Sequence, residues 1–142
     1  MAERLAAGAF RVVAVLHAVM AVAQPVAAGA VLQASATGLV VHQAVGGTLL
    51  LVAMLQVPLA VLAWRPGRLS PWPIAVSVGL VVAETAQVAL GYTGVLAVHV
   101  PLGVAVVAAA VGLAWWAVRA RRPITVGTGS DHRTSTGRAQ PA

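Results

Sequence analysis

Polar side chains that can bind a cofactor recur in the same order in the two halves of this chain. Each half carries a glutamine, then a histidine, then a glycine four residues after the histidine: Gln24, His42 and Gly46, and then Gln87, His99 and Gly103. On a helix, residues four positions apart lie on one face, so each histidine has bare backbone beside it. Two such histidines on facing helices can clamp a flat macrocycle, with the glutamines lining the remaining walls.

A second pair of polar residues, His17 and Glu84, has no counterpart in the other half. Glu84 is the only carboxylate within the apolar segments of the chain. A buried, unpaired carboxyl group favours its neutral form, and His17 can share a proton with it if the first and third helices touch. The pair indicates a proton relay from the cytoplasm toward the level of the other histidines. The alternative is a neutral Glu84 bonded to a backbone carbonyl such as that of Ala21.

These residues lie within four long apolar segments. Of the 142 residues, 60% are hydrophobic and 8% are charged, whereas soluble domains carry roughly 25% charged residues. Crossing a bilayer takes about 20 helical residues, and only helices satisfy the backbone of such segments in lipid. We expect an all-α integral membrane four-helix bundle over residues 1–122. Its expected spans are about 12–32, 39–64, 73–92 and 95–118, and residues 123–142 form a disordered cytoplasmic tail in which His132 is inert.

The basic residues predict the orientation of the bundle. All nine are arginine, and those next to the spans fall on one side of the membrane: Arg4, Arg11, Arg65, Arg68, Arg119, Arg121 and Arg122. Positive charge stays inside, so both termini are expected in the cytoplasm. Because the charges sit at segment ends, we do not expect nucleic acid as a partner. The chain has no cysteine, which excludes disulfides and thiolate metal sites.

The matched order of polar residues predicts two repeated helical hairpins. Both hairpins run from inside to outside and back, which is typical of a parallel repeat with its axis along the membrane normal. Such symmetry places His42 and His99 at one depth on diagonally opposed helices. The alternative is that the glutamines, histidines and glycines only join helices through hydrogen bonds and close packing.

At these residues the chain resembles one four-helix half of a haem A synthase. The stretch 84–91, followed by His99, is similar to the third and fourth helices of that family, and the likeness extends over about residues 12–122. The chain also resembles an uncharacterised family of small four-span bacterial membrane proteins. The resemblance implies that His42 and His99 are the axial ligands of one haem b in a bacterial inner membrane. It also implies electron transfer or haem handling, with a redox partner or a larger membrane complex.

Two departures from the haem A synthase pattern affect the expected activity. Family members usually carry a carboxylate one turn before the second-helix histidine and an arginine directly after it, where this chain has Gly38 or Leu39, and Gln43. Because the chain corresponds to only one four-helix half of that family, it also lacks a second haem site. We therefore expect haem binding without the synthase reaction, and a carrier or subunit rather than an enzyme. The alternatives are a haem-free scaffold subunit and a small proton-coupled transporter.

Overall fold

The computed structural model describes residues 1–65 and 70–120, which form four α-helices. They are α1 (Ala2–Leu32), α2 (Ala36–Trp64), α3 (Trp72–Thr93) and α4 (Leu96–Arg119). All four are long and apolar enough to cross a membrane, so the expected all-α membrane bundle is confirmed by length and composition. The predicted tail, with His132, and the predicted inner residues Arg68, Arg121 and Arg122 lie outside the described residues.

The helices pack in a ring, in which each contacts its two neighbours. The packed pairs are α1 with α2, α2 with α3, α3 with α4, and α4 with α1. Therefore α1 faces α3, and α2 faces α4, across the diagonals of the bundle. We call the end with Arg4, Arg65 and Arg119 the basic end. The opposite end, with the turns from α1 to α2 and from α3 to α4, is the short-turn end.

The two turns at the short-turn end are set by local backbone chemistry. Ser35 caps α2, since its Oγ accepts a hydrogen bond of 3.0 Å from the N–H of Gly38. This cap starts α2 at Ala36, three residues before the predicted span. Gly94 ends α3 in the left-handed region with φ of 72°, a conformation that costs other residues about 1–2 kcal/mol.

The helix α1 begins ten residues before its predicted span because its first turns have partners in the bundle. Phe10 is completely buried. The Arg11 guanidinium donates a hydrogen bond of 2.7 Å to the carbonyl of Ala120, just after the last turn of α4. A cation there complements the negative end of the helix dipole. This bond joins the first and last helices at the basic end.

Tight packing is concentrated in the half of the bundle toward the basic end. Ten of the fifteen buried apolar residues are alanine, and small residues let membrane helices approach closely. The buried residues run from Ala7 to Ala21 on α1, Leu49 to Ala63 on α2, Pro73 to Glu84 on α3, and Val106 to Ala117 on α4. Gly38 is the one buried residue nearer the short-turn end among those described.

Aromatic rings gather at the basic end, as interfacial residues are expected to do. The rings of Trp72 and Trp116 meet edge to face, with their centroids 4.9 Å apart. The Arg119 guanidinium lies 3.4 Å from the centre of the Trp115 ring. The first contact joins α3 to α4, and the second lies within α4; together they give the basic end a cationic and an aromatic surface.

The closest approach of α1 and α2 can be tested at Gly38. A Cβ there would lie 2.7 Å from the Cβ of Ala30 and within 3.0–3.1 Å of two backbone atoms of α1. Overpacking of this kind costs about 1–3 kcal/mol, so Gly38→Ala is expected to lower the midpoint of thermal unfolding.

Gly29→Ala is the matched control, because nothing lies within 4 Å of its Cβ. It exchanges glycine for a better helix former, so the midpoint should stay the same or rise. Equal midpoints for Gly38→Ala and the wild type would contradict the close approach of these helices.

Candidate functional site

The two histidines of the predicted cofactor site face each other across a diagonal of the bundle. His42 lies on α2 and His99 on α4, with ring centroids 6.2 Å apart and ring planes at 66°. These helices do not pack directly against each other, so the rings occupy the space between them. Both histidines are half-buried.

The ring of His99 is held in one tautomer by a backbone carbonyl. Its Nδ1 lies 3.1 Å from the carbonyl oxygen of Gln87, and a carbonyl only accepts, so Nδ1 carries the proton. In the neutral ring, Nε2 then keeps its lone pair. Gly91 permits this contact, because a Cβ there would lie 3.3 Å from the imidazole Cε1. Metal-binding histidines are commonly oriented in this way.

The ring of His42 is positioned differently. Its Nδ1 is buried and has no hydrogen-bond partner among the described residues. Its backbone carbonyl instead accepts a hydrogen bond of 3.2 Å from Nε2 of Gln24. Gln24 thus holds the helical turn that carries His42, while the ring itself needs a further polar partner. A buried polar atom without a partner costs about 1–3 kcal/mol.

Each glutamine lies against the glycine that follows a histidine on the neighbouring helix. Nε2 of Gln24 is 3.3 Å from the position a Cβ of Gly46 would take, and Nε2 of Gln87 is 2.7 Å from the corresponding position at Gly103. The glycines therefore make room for amide groups in this structure. Both glutamine Oε1 atoms are buried without partners. The six residues singled out from the sequence thus form one layer, here named the histidine layer.

Deeper toward the basic end, a second layer of polar side chains crosses the other diagonal. His17 Nε2 lies 2.5 Å from Glu84 Oε1, which joins α1 to α3. His17 Nδ1 lies 3.0 Å from Gln56 Oε1, and Gln56 Nε2 donates to Ser77 Oγ at 3.1 Å. All four are at most 4% exposed, and they are the buried polar residues of the described chain. We call them the buried network.

The sequence predicted only part of this network. It indicated that His17 can meet Glu84, and the structure joins them; the carbonyl of Ala21 is not the partner of Glu84 in the structure. Gln56 and Ser77 were missed because they are neither matched in the other half nor ionisable, as His17 and Glu84 are. A signal was present nonetheless, since a glutamine deep within an apolar membrane segment is rarely without a role.

Coupling within the network can be measured with a double-mutant cycle. His17→Leu leaves the carboxyl group of Glu84 without a partner, which costs about 3–5 kcal/mol for a buried charge pair. Adding Glu84→Leu removes that group, so the double variant should be more stable than the sum of the single losses predicts. Thermal unfolding of the purified protein gives the coupling free energy.

Thr85→Val is the matched control for this cycle. Thr85 is exposed, and its hydroxyl donates to the carbonyl of Val81 within α3, so its removal should not couple to His17. Additive effects of His17→Leu and Glu84→Leu would show that the two side chains do not interact in the folded protein.

Comparisons with known proteins leave the function to be argued from this geometry. No family model, curated protein or solved structure matches the chain. The likeness to haem A synthases therefore rests on the residues of the histidine layer and their spacing. What the chain does must be inferred from two polar layers, one across each diagonal of the bundle.

Proposed function

We propose that this protein binds one b-type haem in the membrane, with His42 and His99 as the axial ligands, and serves in electron transfer or haem handling. The observation that carries the proposal is the 6.2 Å separation of the two ring centroids across the bundle. A metal–imidazole bond is about 2.0–2.1 Å long. Two rings bound to opposite sides of one metal therefore have centres roughly 6 Å apart, once the size of each ring is added.

The donor set favours haem over a bare metal ion. Among residues 1–65 and 70–120, no three histidine, cysteine, aspartate or glutamate side chains are grouped so as to hold a metal ion. A zinc site takes three or four protein ligands. Haem iron already has its macrocycle nitrogens and needs only axial ligands from the protein. Two facing histidines meet that need.

The surroundings of the histidines also suit a cofactor. The Nδ1–H of His99 donates to a carbonyl, which leaves Nε2 as the free ligand atom. The buried polar atoms His42 Nδ1, Gln24 Oε1 and Gln87 Oε1 lack partners among the described residues, and fewer residues are fully buried in this half of the bundle than in the alanine-rich half. When bound, haem supplies the reversible one-electron chemistry, while the chain supplies ligands, orientation and apolar walls.

We further propose that the bundle consists of two repeated hairpins in a bacterial inner membrane, with both termini in the cytoplasm. The matched contacts of Gln24 with Gly46 and of Gln87 with Gly103 support the repeat. Arg4, Arg65 and Arg119 share one end of the bundle, and the positive-inside rule places that end in the cytoplasm. The histidine layer then lies near the external face.

The orientation is tested with topology reporters. After Arg122, a reporter that works only in the cytoplasm should be active. At Ser35, a reporter that works only outside the cytoplasm should be active. The physical reason is the arginine content of the two ends. An external signal at the C-terminus would contradict the proposed orientation.

The haem proposal is tested by optical spectroscopy of the protein purified from haem-replete cells. The dithionite-reduced protein is expected to show the sharp bands of low-spin, six-coordinate b-type haem. His42→Ala and His99→Ala should each abolish that spectrum, since one axial ligand is lost in each. His132→Ala should leave it unchanged.

A matched pair of glycine variants tests the walls of the same site. Gly103→Ala places a Cβ 2.7 Å from Gln87 Nε2, whereas nothing lies within 4 Å of a Cβ at Gly112 on the same helix. We expect haem affinity to fall about tenfold or more, or about 1.4 kcal/mol, in Gly103→Ala only. A colourless wild-type protein, or unchanged spectra in both histidine variants, would remove the haem proposal and leave the scaffold function.

A further inference from the structure

The buried polar atoms without partners extend from the buried network to the histidine layer. Glu84 uses Oε1 to meet His17, but its Oε2 is buried and unpartnered within the described chain. Gln87 lies three residues further along α3, and such residues are neighbours with Cβ atoms about 5–6 Å apart. Its Oε1 is likewise unpartnered, as are Gln24 Oε1 and His42 Nδ1. Polar atoms in need of partners thus lead from Glu84 toward the short-turn end.

In the opposite direction the buried residues of α1 and α4 are apolar, whereas Ser77 of the network lies in the second turn of α3. Along α1 the buried residues beyond His17 are Ala14, Phe10 and Ala7. On α4 every buried residue is apolar, and those nearest the basic end are Leu113, Ala114 and Ala117. Phe10 and Leu113 are the two largest fully buried side chains. On α1 and α4, an apolar barrier therefore separates the network from the basic end.

The contact between His17 Nε2 and Glu84 Oε1 requires a proton between these two atoms. Gln56 donates to Ser77 through Nε2, so its Oε1 faces His17 and accepts from the Nδ1–H. One further proton then lies between His17 Nε2 and Glu84 Oε1. Whether it resides on nitrogen or oxygen, the pair is neutral overall, which is the form that a dry interior favours.

We propose that His17 and Glu84 form a proton-binding site that exchanges protons with the short-turn end along Glu84 Oε2, Gln87 and Gln24. A hydronium ion at Oε2 transfers its proton to that oxygen, while the proton shared with His17 moves onto Nε2. The pair then carries one positive charge, and the reverse transfer to water restores neutrality. The other titratable groups that face this route are His42 on α2 and His99 on α4.

The route passes the histidine layer, so a redox cofactor held there is coupled to the proton site. This consequence rests on the proposed haem function. Reduction adds a negative charge close to the route and favours uptake of a proton by the pair. The midpoint potential of the haem should then fall as pH rises, by up to about 59 mV per pH unit for one proton per electron. Glu84→Gln should flatten that dependence while leaving the spectrum intact.

The proton site itself is tested by infrared spectroscopy, which needs no haem. Difference spectra recorded between about pH 5 and pH 8 should show a protonated-carboxyl band that Glu84→Gln removes. After a rapid pH change the band should appear about tenfold or more slowly in Gln87→Leu than in the wild type. Gln24→Leu tests the same route from the opposite wall if Gln87→Leu fails to fold.

Two controls separate this route from its alternatives. Thr85→Val removes a polar group from the exposed side of α3 and should leave the rate unchanged. Phe10→Leu reduces the barrier toward the basic end and should also leave it unchanged. The proposal is overturned if no band depends on Glu84, if the glutamine variants match the wild-type rate, or if Phe10→Leu speeds the exchange. A failed haem spectrum beside a Glu84-dependent band would reject the cofactor and keep the proton site.

Discussion

A carboxyl group inside a membrane bundle must find its partner within the protein, because lipid offers none. The structure meets this constraint at Glu84 by a hydrogen bond to His17 that crosses the bundle between helices that do not otherwise pack. The bond fixes the depth of α3 relative to α1, and the bonds of Gln56 fix the depth of α2. Gln87 lies one turn closer to the short-turn end than Glu84 on α3, and Gln24 lies two turns closer to it than His17 on α1. The same hydrogen bonds therefore set the depth of the histidine layer.

The alanine-rich core is what makes such a short bridge possible. A histidine and a glutamate can meet across a diagonal only where the helices approach closely, and ten of fifteen buried apolar residues are alanine. In the histidine layer the same bundle is looser, and its buried residues are few. There the rings of His42 and His99 face each other at 6.2 Å without a hydrogen bond between them. The bundle is therefore bridged by a hydrogen bond across one diagonal and not across the other.

Much of this arrangement could be predicted from the sequence, because membrane helices are defined by length and polarity. The four spans followed from length and polarity, and the diagonal placement of His42 and His99 followed from the expected symmetry of the two halves. The contact of His17 with Glu84 was one of two alternatives that the sequence left open. The early start of α1 did not, since it depends on tertiary partners of Phe10 and Arg11 that no local pattern contains. Gln56 and Ser77 were missed because they are uncharged and have no matched residue, so neither the comparison of the halves nor their ionisation marked them. The neighbours of Gly46 and Gly103 could not be predicted from the sequence either. Residue spacing does not show that glutamine amide groups occupy the space beside these glycines.

The two layers differ in symmetry, and that difference bears on what each can do. In the histidine layer every residue has a matched partner in the sequence, so α2 and α4 each carry one histidine of the pair, as the proposed haem site requires. The buried network has no such match, since α1, α2 and α3 contribute to it and the buried residues of α4 are apolar. Its hydrogen bonds run in one sequence from Ser77 through Gln56 and His17 to Glu84, and the free oxygen stands at one end. A matched layer suits holding a cofactor in place. In the proposed function, the matched layer holds the cofactor, and the asymmetric network beneath it is the proposed proton-binding site.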